Sequence, residues 1–402
     1  MRFEYFFRDR LLKASKTNHE MHERRKTKSH ETASLFLFRV ISQRLRAFRG
    51  SYALSGSSLL AAFILLSFQT QICTAAGVWT KQKSGTLAWL NAIYFLDKDR
   101  GWAVGSSGAL LQTTDGGENW KALRRPTEDT IRDLYFADDQ NGWLVCERSI
   151  YLLKTKEEQR SYLMSTNDGG VVWRRVNLNG DPDARLLRLM FTPAGQGWVF
   201  GEGGMLFSTA NNGASWTKKR APTRHILFGG AFLDQTQMWL VGSGATVLQS
   251  RDGGETWRNG NVLGITQSIR FTATSFVDRS RGWAVGDEGR IFLTVDGGRT
   301  WDAQRSPVHE DLNDVKFIDA AEGWAVGKNG LLMHTTNGGF KWTVEETRIT
   351  HPLERLFFIN GDRGWLVGFG GTIFSYAPGA KPKPPSLKQA PVLKGARERR
   401  VR

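Results

Sequence analysis

Short apolar runs separated by glycine and small polar residues recur from about residue 78 to residue 377. The pair Gly-Trp followed by a short apolar strand stands at Trp102, Trp143, Trp198, Trp283, Trp324 and Trp365, and Trp239 occupies the same place behind Met238. Successive spacings are 41, 55, 41, 44, 41 and 41 residues. A fixed period of this length marks a repeat architecture. It predicts seven copies of one unit, with an insertion in the second.

A second signature closes each of the first six units. Thr113-x-Asp115-x-Gly117-x-Asn119-Trp120 recurs around Asp168, Asn211, Asp252, Asp296 and Asn337, each followed five residues later by tryptophan. This is the Asp-box pattern. Its acidic or amide side chain and hydroxyl bond nearby backbone N–H groups, and its glycine takes backbone angles closed to other residues. The tryptophan is expected to pack as an apolar wedge between neighbouring sheets.

One unit reads as four short strands. In the second, Ile131–Phe136 is the inner strand and Gly142–Val145 the next; the third precedes the Asp-box turn and the fourth starts at Trp173. Four strands repeated seven times predict an all-β, seven-bladed β-propeller. The seventh unit runs through Leu353–Phe358, Gly364–Gly368 and Thr372–Tyr376 without a box or its tryptophan. Val78-Trp79-Thr80-Lys81 supplies a candidate for the missing strand, so the last blade is expected to be closed by the N-terminal strand. With Trp79 and a solitary Trp89, the two motifs account for all 15 tryptophans.

Gly-Trp-Ala-Val-Gly at Gly101–Gly105, Gly282–Gly286 and Gly323–Gly327, combined with these boxes, resembles one family in particular. It comprises the photosystem II assembly and stability factors of cyanobacteria and plastids and their non-photosynthetic bacterial relatives. The likeness covers about residues 78–377 and rests on structural residues. It implies a non-catalytic, exported propeller that binds membrane-protein assembly intermediates, with an arginine-rich patch as its partner surface.

Aligning the inner strands on Phe95, Phe136, Phe191, Phe232, Phe276, Phe317 and Phe358 gives a candidate site. Three residues earlier stand Asp133, Arg188, Asp314 and Arg355; one further back stand Arg132 and Glu354, with Arg185 and Arg270 nearby. These positions fall where inner strands begin, at the mouth of the central channel. Arg132, Arg188, Arg270, Arg355, Asp133, Asp314 and Glu354 are therefore the candidate partner-binding residues. The competing reading is a ring of salt-bridged structural polar groups. Asp115, Asp168, Asn211, Asp252, Asp296 and Asn337 are expected to be structural.

Charge changes the picture at the ends. The chain of 402 residues carries 55 Lys+Arg against 39 Asp+Glu, a net +16. Residues 1–50 hold 13 basic and 5 acidic side chains and residues 378–402 hold 8 and 1, which leaves the body near neutral. A basic nucleic-acid groove across the fold is not supported. Residues 378–402 read as a disordered, Pro-rich basic tail able to contact an anionic surface. The apolar run at residues 53–72, with small residues at Thr74-Ala75-Ala76, fits a signal peptide or an N-terminal anchor, so residues 1–76 are set apart from the propeller at 77–377. Thr70-Gln71-Ile72 before Cys73 is a poor lipoprotein processing site. The expected location is periplasmic or extracellular, or the thylakoid lumen in a photosynthetic organism.

Sialidases also carry Asp boxes, so a carbohydrate-binding or sialidase-like propeller is the alternative. Arg132, Arg188, Arg355, Glu354 and Tyr135 are the residues such an enzyme would recruit. The regular repeats and the lack of an Arg-Ile-Pro-type segment argue against it. His225, His309, His334 and His351 are scattered without ligand spacing, so neither a metal nor a cofactor is implied. Cys146, where other units have glycine, reads as a buried structural thiol. The sequence thus predicts a monomeric, non-enzymatic scaffold for a protein client in the cell envelope.

Overall fold

Each repeat unit folds as an antiparallel meander whose strands are joined mostly by short turns, the inserted connection of blade 2 excepted. The computed structural model describes residues 77–155, 158–178, 184–265 and 267–377. The signal or anchor and tail readings for residues 1–76 and 378–402 lie outside the described residues. Blade 1 consists of Leu90–Phe95, Gly101–Gly105, Leu110–Thr113 and Lys121–Ala122, hydrogen-bonded in that order. Blades 2 to 7 open on Thr130–Phe136, Leu186–Phe191, Leu227–Phe232, Phe271–Phe276, Leu312–Phe317 and Leu353–Asn360. These first strands touch one another in sequence around a closed ring, the last returning to Leu90–Phe95.

The ring closes through the N-terminal strand. Val78–Gln82 pairs antiparallel with Ile373–Ala377, from Val78 opposite Ala377 to Gln82 opposite Ile373, as the outer strand of blade 7. Trp79 meets the Phe358 ring edge-on at 5.8 Å and 87°. That is the geometry of the box tryptophans: Trp120 meets Phe95 at 5.9 Å and 88°, and Trp342 meets Phe317 at 5.7 Å and 87°. Trp79 therefore replaces the tryptophan that the seventh unit lacks.

Packing between blades involves both tryptophans: Trp120 packs between blades 1 and 7, as expected of the box residue, and the Gly-Trp residue stacks directly on the next blade. Trp102 stacks on Phe136 of the next blade at 3.9 Å, Trp283 on Phe317 at 3.5 Å, and Trp365 on Phe95 at 3.5 Å across the closure. Its strand lies nearer the axis, where adjacent sheets are closest. The indole Nε1 of Trp365 then donates to Gly116 O at 2.9 Å, and Trp239 and Trp283 donate likewise to Gly297 O and Gly338 O. One motif thus grips the other in the following blade.

The glycine before this tryptophan has a steric reason. A Cβ at Gly101 would lie 2.5 Å from the ring of Phe95 on the paired strand. Blade 4 shows the alternative. With Met238 in place of glycine, Phe232 is only half-buried, and its ring lies 6.4 Å from Trp198 at 35° instead of stacking.

The Asp boxes form the expected hairpin. Thr113 Oγ1 accepts from Gly117 N at 2.9 Å and donates to Asp115 Oδ1, which accepts from Asn119 N at 2.9 Å. Gly116 and Gly117 have φ of 72° and 93°, so the turn requires glycine. Backbone and side-chain donation from Asn119 hold the Asp115 carboxyl down at about 2. In blade 2 the insertion lengthens a hairpin, and pairing continues through Cys146 opposite Tyr162 to Glu147 opposite Ser161. Cys146 is buried, and that burial pushes its thiol far up.

Candidate functional site: the two levels of the central channel

A bulge repeated in every blade builds the mouth. Between the first and second strands the register skips one residue, at Leu90/Ala92, Ile131/Asp133, Leu186/Arg188, Leu227/Gly229, Phe271/Ala273, Leu312/Asp314 and Leu353/Arg355. The skipped residues are Asn91, Arg132, Leu187, Phe228, Thr272, Asn313 and Glu354. A bulge re-aims its extra side chain, and all seven line one mouth pocket of about 330 Å³. Arg185, Arg188, Arg270, Lys328 and Arg355 complete it.

Asp133 and Asp314 are not in that layer. They line a second cavity of about 490 Å³ deeper in the channel, and Arg188 and Arg355 border both spaces. The two acids bind neighbouring blades together. Asp133 Oδ2 accepts from Leu189 N at 3.0 Å, and Asp314 Oδ2 accepts from Leu356 N at 2.9 Å. Their other oxygens accept from Leu134 N and Val315 N. Burial pushes both carboxyls up to about 6, against the opposing pull of Arg188 and these amides. Mouth residues bridge blades as well: Asn91 donates to Ile131 O at 2.8 Å, Thr272 to Leu312 O at 2.6 Å, and Asn313 to Leu353 O at 2.9 Å.

The arginines divide into two groups. Arg132 and Arg185 are held by Glu147, at 2.6 Å and 2.8 Å, with Arg160 joining at 3.3 Å. Glu147 is only 7% exposed. Burial alone would raise its carboxyl, but Arg132 and Arg185 bring it below the ordinary value. Arg270 shares Asp311 with Lys328, at 3.1 Å and 2.7 Å. Arg188 and Arg355 differ from these. Arg188 Nε donates to Phe228 O at 2.6 Å, Arg355 Nε is buried without a partner, and neither forms an ion pair among the described residues. They are the two mouth guanidinium groups without a carboxylate partner among the described residues.

Glu354 enters the mouth from blade 7, next to Arg355 on the same strand. It accepts from Trp89 Nε1 at 2.9 Å, which gives the solitary tryptophan a place on the rim, against Phe369 at 5.3 Å. Burial raises the Glu354 carboxyl, and Trp89 and Arg188 counter that rise. Tyr135 lies in the deeper cavity while Glu354 lies in the mouth, so the pair a sialidase would use is split between two levels. Sequence reasoning did not single out Glu147, Lys328 or Lys316 of the deeper cavity. Glu147 ends the second strand of blade 2, whereas the alignment compared first strands only.

A family model described as photosynthesis system II assembly factor YCF48 matches residues 118–225, 216–302 and 263–352. The photosystem II assembly protein Ycf48 of Thermosynechococcus vestitus is 29% identical over 157 residues, which is 38% of this chain and 41% of that protein. The chain thus aligns with less than half the length of this curated relative. Among solved structures, one described as YCF48 bound to D1 peptide superposes with a TM-score of 0.60 at 20% identity, covering 78% of this chain and 97% of that one. The GH74 xyloglucanase of Xanthomonas campestris superposes at 0.58 with 14% identity, over 75% of this chain and 54% of that one. At such identities both show the fold alone. The family match spans more than half of the chain and all of its central blades, and the chain belongs to the photosystem II assembly factor YCF48 family.

Proposed function

We propose that the protein is a non-catalytic, exported scaffold that binds an acidic segment of a protein client at the channel mouth. One observation carries this reading: Arg188 and Arg355 present guanidinium groups at the mouth without a carboxylate partner among the described residues. A guanidinium pairs a carboxylate through two parallel donors, and a recessed site strengthens the pair by excluding water. The solved relative described with a D1 peptide supports a peptide as the occupant. Arg132 and Arg185, already tied to Glu147, shape the electropositive wall, and Arg270 extends it. The client, as the family suggests, is a membrane-protein assembly intermediate in the cell envelope.

Crosslinked capture from membranes tests the proposal. The variant Arg188→Glu/Arg355→Glu is expected to lose most client capture at low salt, with a weaker dependence on added salt than the parent. A chain ending at Ala377 should capture normally. Capture kept by the double variant but lost by the shortened chain would move the function to the basic tail.

A further inference from the structure

The cavity beneath the mouth has a chemical asymmetry that the proposed client contact does not use. It is the larger of the two channel spaces, at about 490 Å³, within the usual size for a small-molecule site. One residue before each inner-strand phenylalanine, the blades place different side chains around one level. Blades 7, 1 and 2 contribute Phe357, Tyr94 and Tyr135, packed edge-to-face at 5.2 Å and 5.1 Å. Blades 4 and 5 contribute Ala231 and Ser275, which leave a recess across from that aromatic wall. Blade 6 contributes Lys316.

Lys316 has no hydrogen-bond or ion-pair partner among the described residues. Water in the channel reaches it, yet protein surrounds the side chain, and that desolvation lowers the ammonium's proton affinity against the pull of Asp314. Asp314 attracts it without forming an ion pair, and each of its carboxylate oxygens accepts one backbone N–H. Asp133 accepts in the same way. Three cations, Arg188, Arg355 and Lys316, thus share the cavity with two acids, Asp133 and Asp314, and form no ion pair with either among the described residues. An inorganic anion would relieve the charge but leave the aromatic wall and the recess unfilled. A neutral apolar molecule would do the reverse.

We propose that the lower channel is a binding site for a small aromatic carboxylate, its anionic end on Lys316 and its ring between the Tyr94–Tyr135–Phe357 wall and the recess at Ala231 and Ser275. The site borders the mouth through Arg188 and Arg355, but its anion contact, Lys316, lies outside the lining of the mouth.

Titration calorimetry on the full chain with 3-phenylpropionate tests this. One-site saturable binding is expected, weakened at least about tenfold when the probe is the neutral 3-phenylpropionamide. Lys316→Met should weaken the acid to a similar degree, Lys316→Arg should retain it, and Ala231→Phe should abolish it by filling the recess. The acid–amide comparison uses unaltered protein, so it decides the matter even where a variant fails to fold. Absence of saturable binding up to about 10 mM, or equal binding of acid and amide, would overturn the assignment. So would full binding by a folded Lys316→Met protein, or loss of binding in Arg132→Ser with Lys316→Met unaffected, which would place the probe in the mouth.

Discussion

The six Asp-box hairpins and the ring of seven inner-strand starts are both repeated features, and they use their repetition in opposite ways. Six boxes keep the same hydroxyl, the same acceptor and the same glycine, with acceptor-to-amide distances of 2.8 to 3.0 Å. The inner ring keeps only its backbone. The bulge recurs in all seven blades, but the residue it presents is asparagine, arginine, leucine, phenylalanine, threonine, asparagine or glutamate. Where residues repeat, they build the scaffold. Where only the backbone repeats, it is a frame on which a site can be composed.

The strongest way to break the scaffold side is to open the ring. Deleting residues 77–83 removes the outer strand of blade 7 and the Trp79 contact with Phe358, and should lower the melting temperature by about 10 °C or more. An unchanged melting curve would show that closure does not depend on this strand. Next is Gly101→Ala, whose new methyl meets the Phe95 ring; destabilisation of about 2 kcal/mol is expected in urea unfolding. Met238→Gly should be milder, because blade 4 already holds its phenylalanine out of the stack. Asp115→Ala should cost on the order of 1 kcal/mol through lost turn acceptors, and should leave client capture intact where the fold persists.

The smallest effect is the sharpest comparison, since the two sets of acids should respond to pH with opposite sign. Asp133 and Asp314 have folded values near 6, above the ordinary 3.8. The folded state therefore holds more protons than the unfolded state between about pH 4 and 6, and their contribution falls as pH rises through that window. Asp133→Asn should accordingly be more destabilising at pH 4.5 than at pH 7. Asp115, held at about 2, contributes above its ordinary 3.8 and loses that contribution as pH falls towards 2. The deficit of Asp115→Ala should therefore shrink in acid. Urea melts at three pH values would show both trends, and parallel slopes would refute the division.

Much of the scaffold was legible from the chain. The spacing of Trp102 to Trp365, the six boxes and the surplus Trp79 led to seven blades and to their closure. The wedge expected of the box tryptophan is shared with the Gly-Trp residue, which the chain alone did not show. Both motifs are equally regular, and only the splay of the sheets distinguishes Trp102, near the axis, from Trp120 further out. The candidate mouth residues came from an alignment that put Arg132 and Asp133 side by side, whereas the chain sends one into the mouth and the other to the level below.

By itself, then, the sequence determined what local chemistry can determine. A hydroxyl, an acceptor and a glycine at set spacing close a hairpin, and a Gly-Trp strand needs a phenylalanine to stack upon. Those interactions span a few residues or one repeat, so the letters carry them. Only the tertiary structure decided which charges remain unmatched. Glu147, at the end of the second strand of blade 2, occupies Arg132 and Arg185, while Arg188, Arg355 and Lys316 are brought from blades 3, 7 and 6 with no carboxylate pairing them among the described residues. Pairing of that kind depends on where seven distant strands converge, a distance in space that no spacing along the chain records.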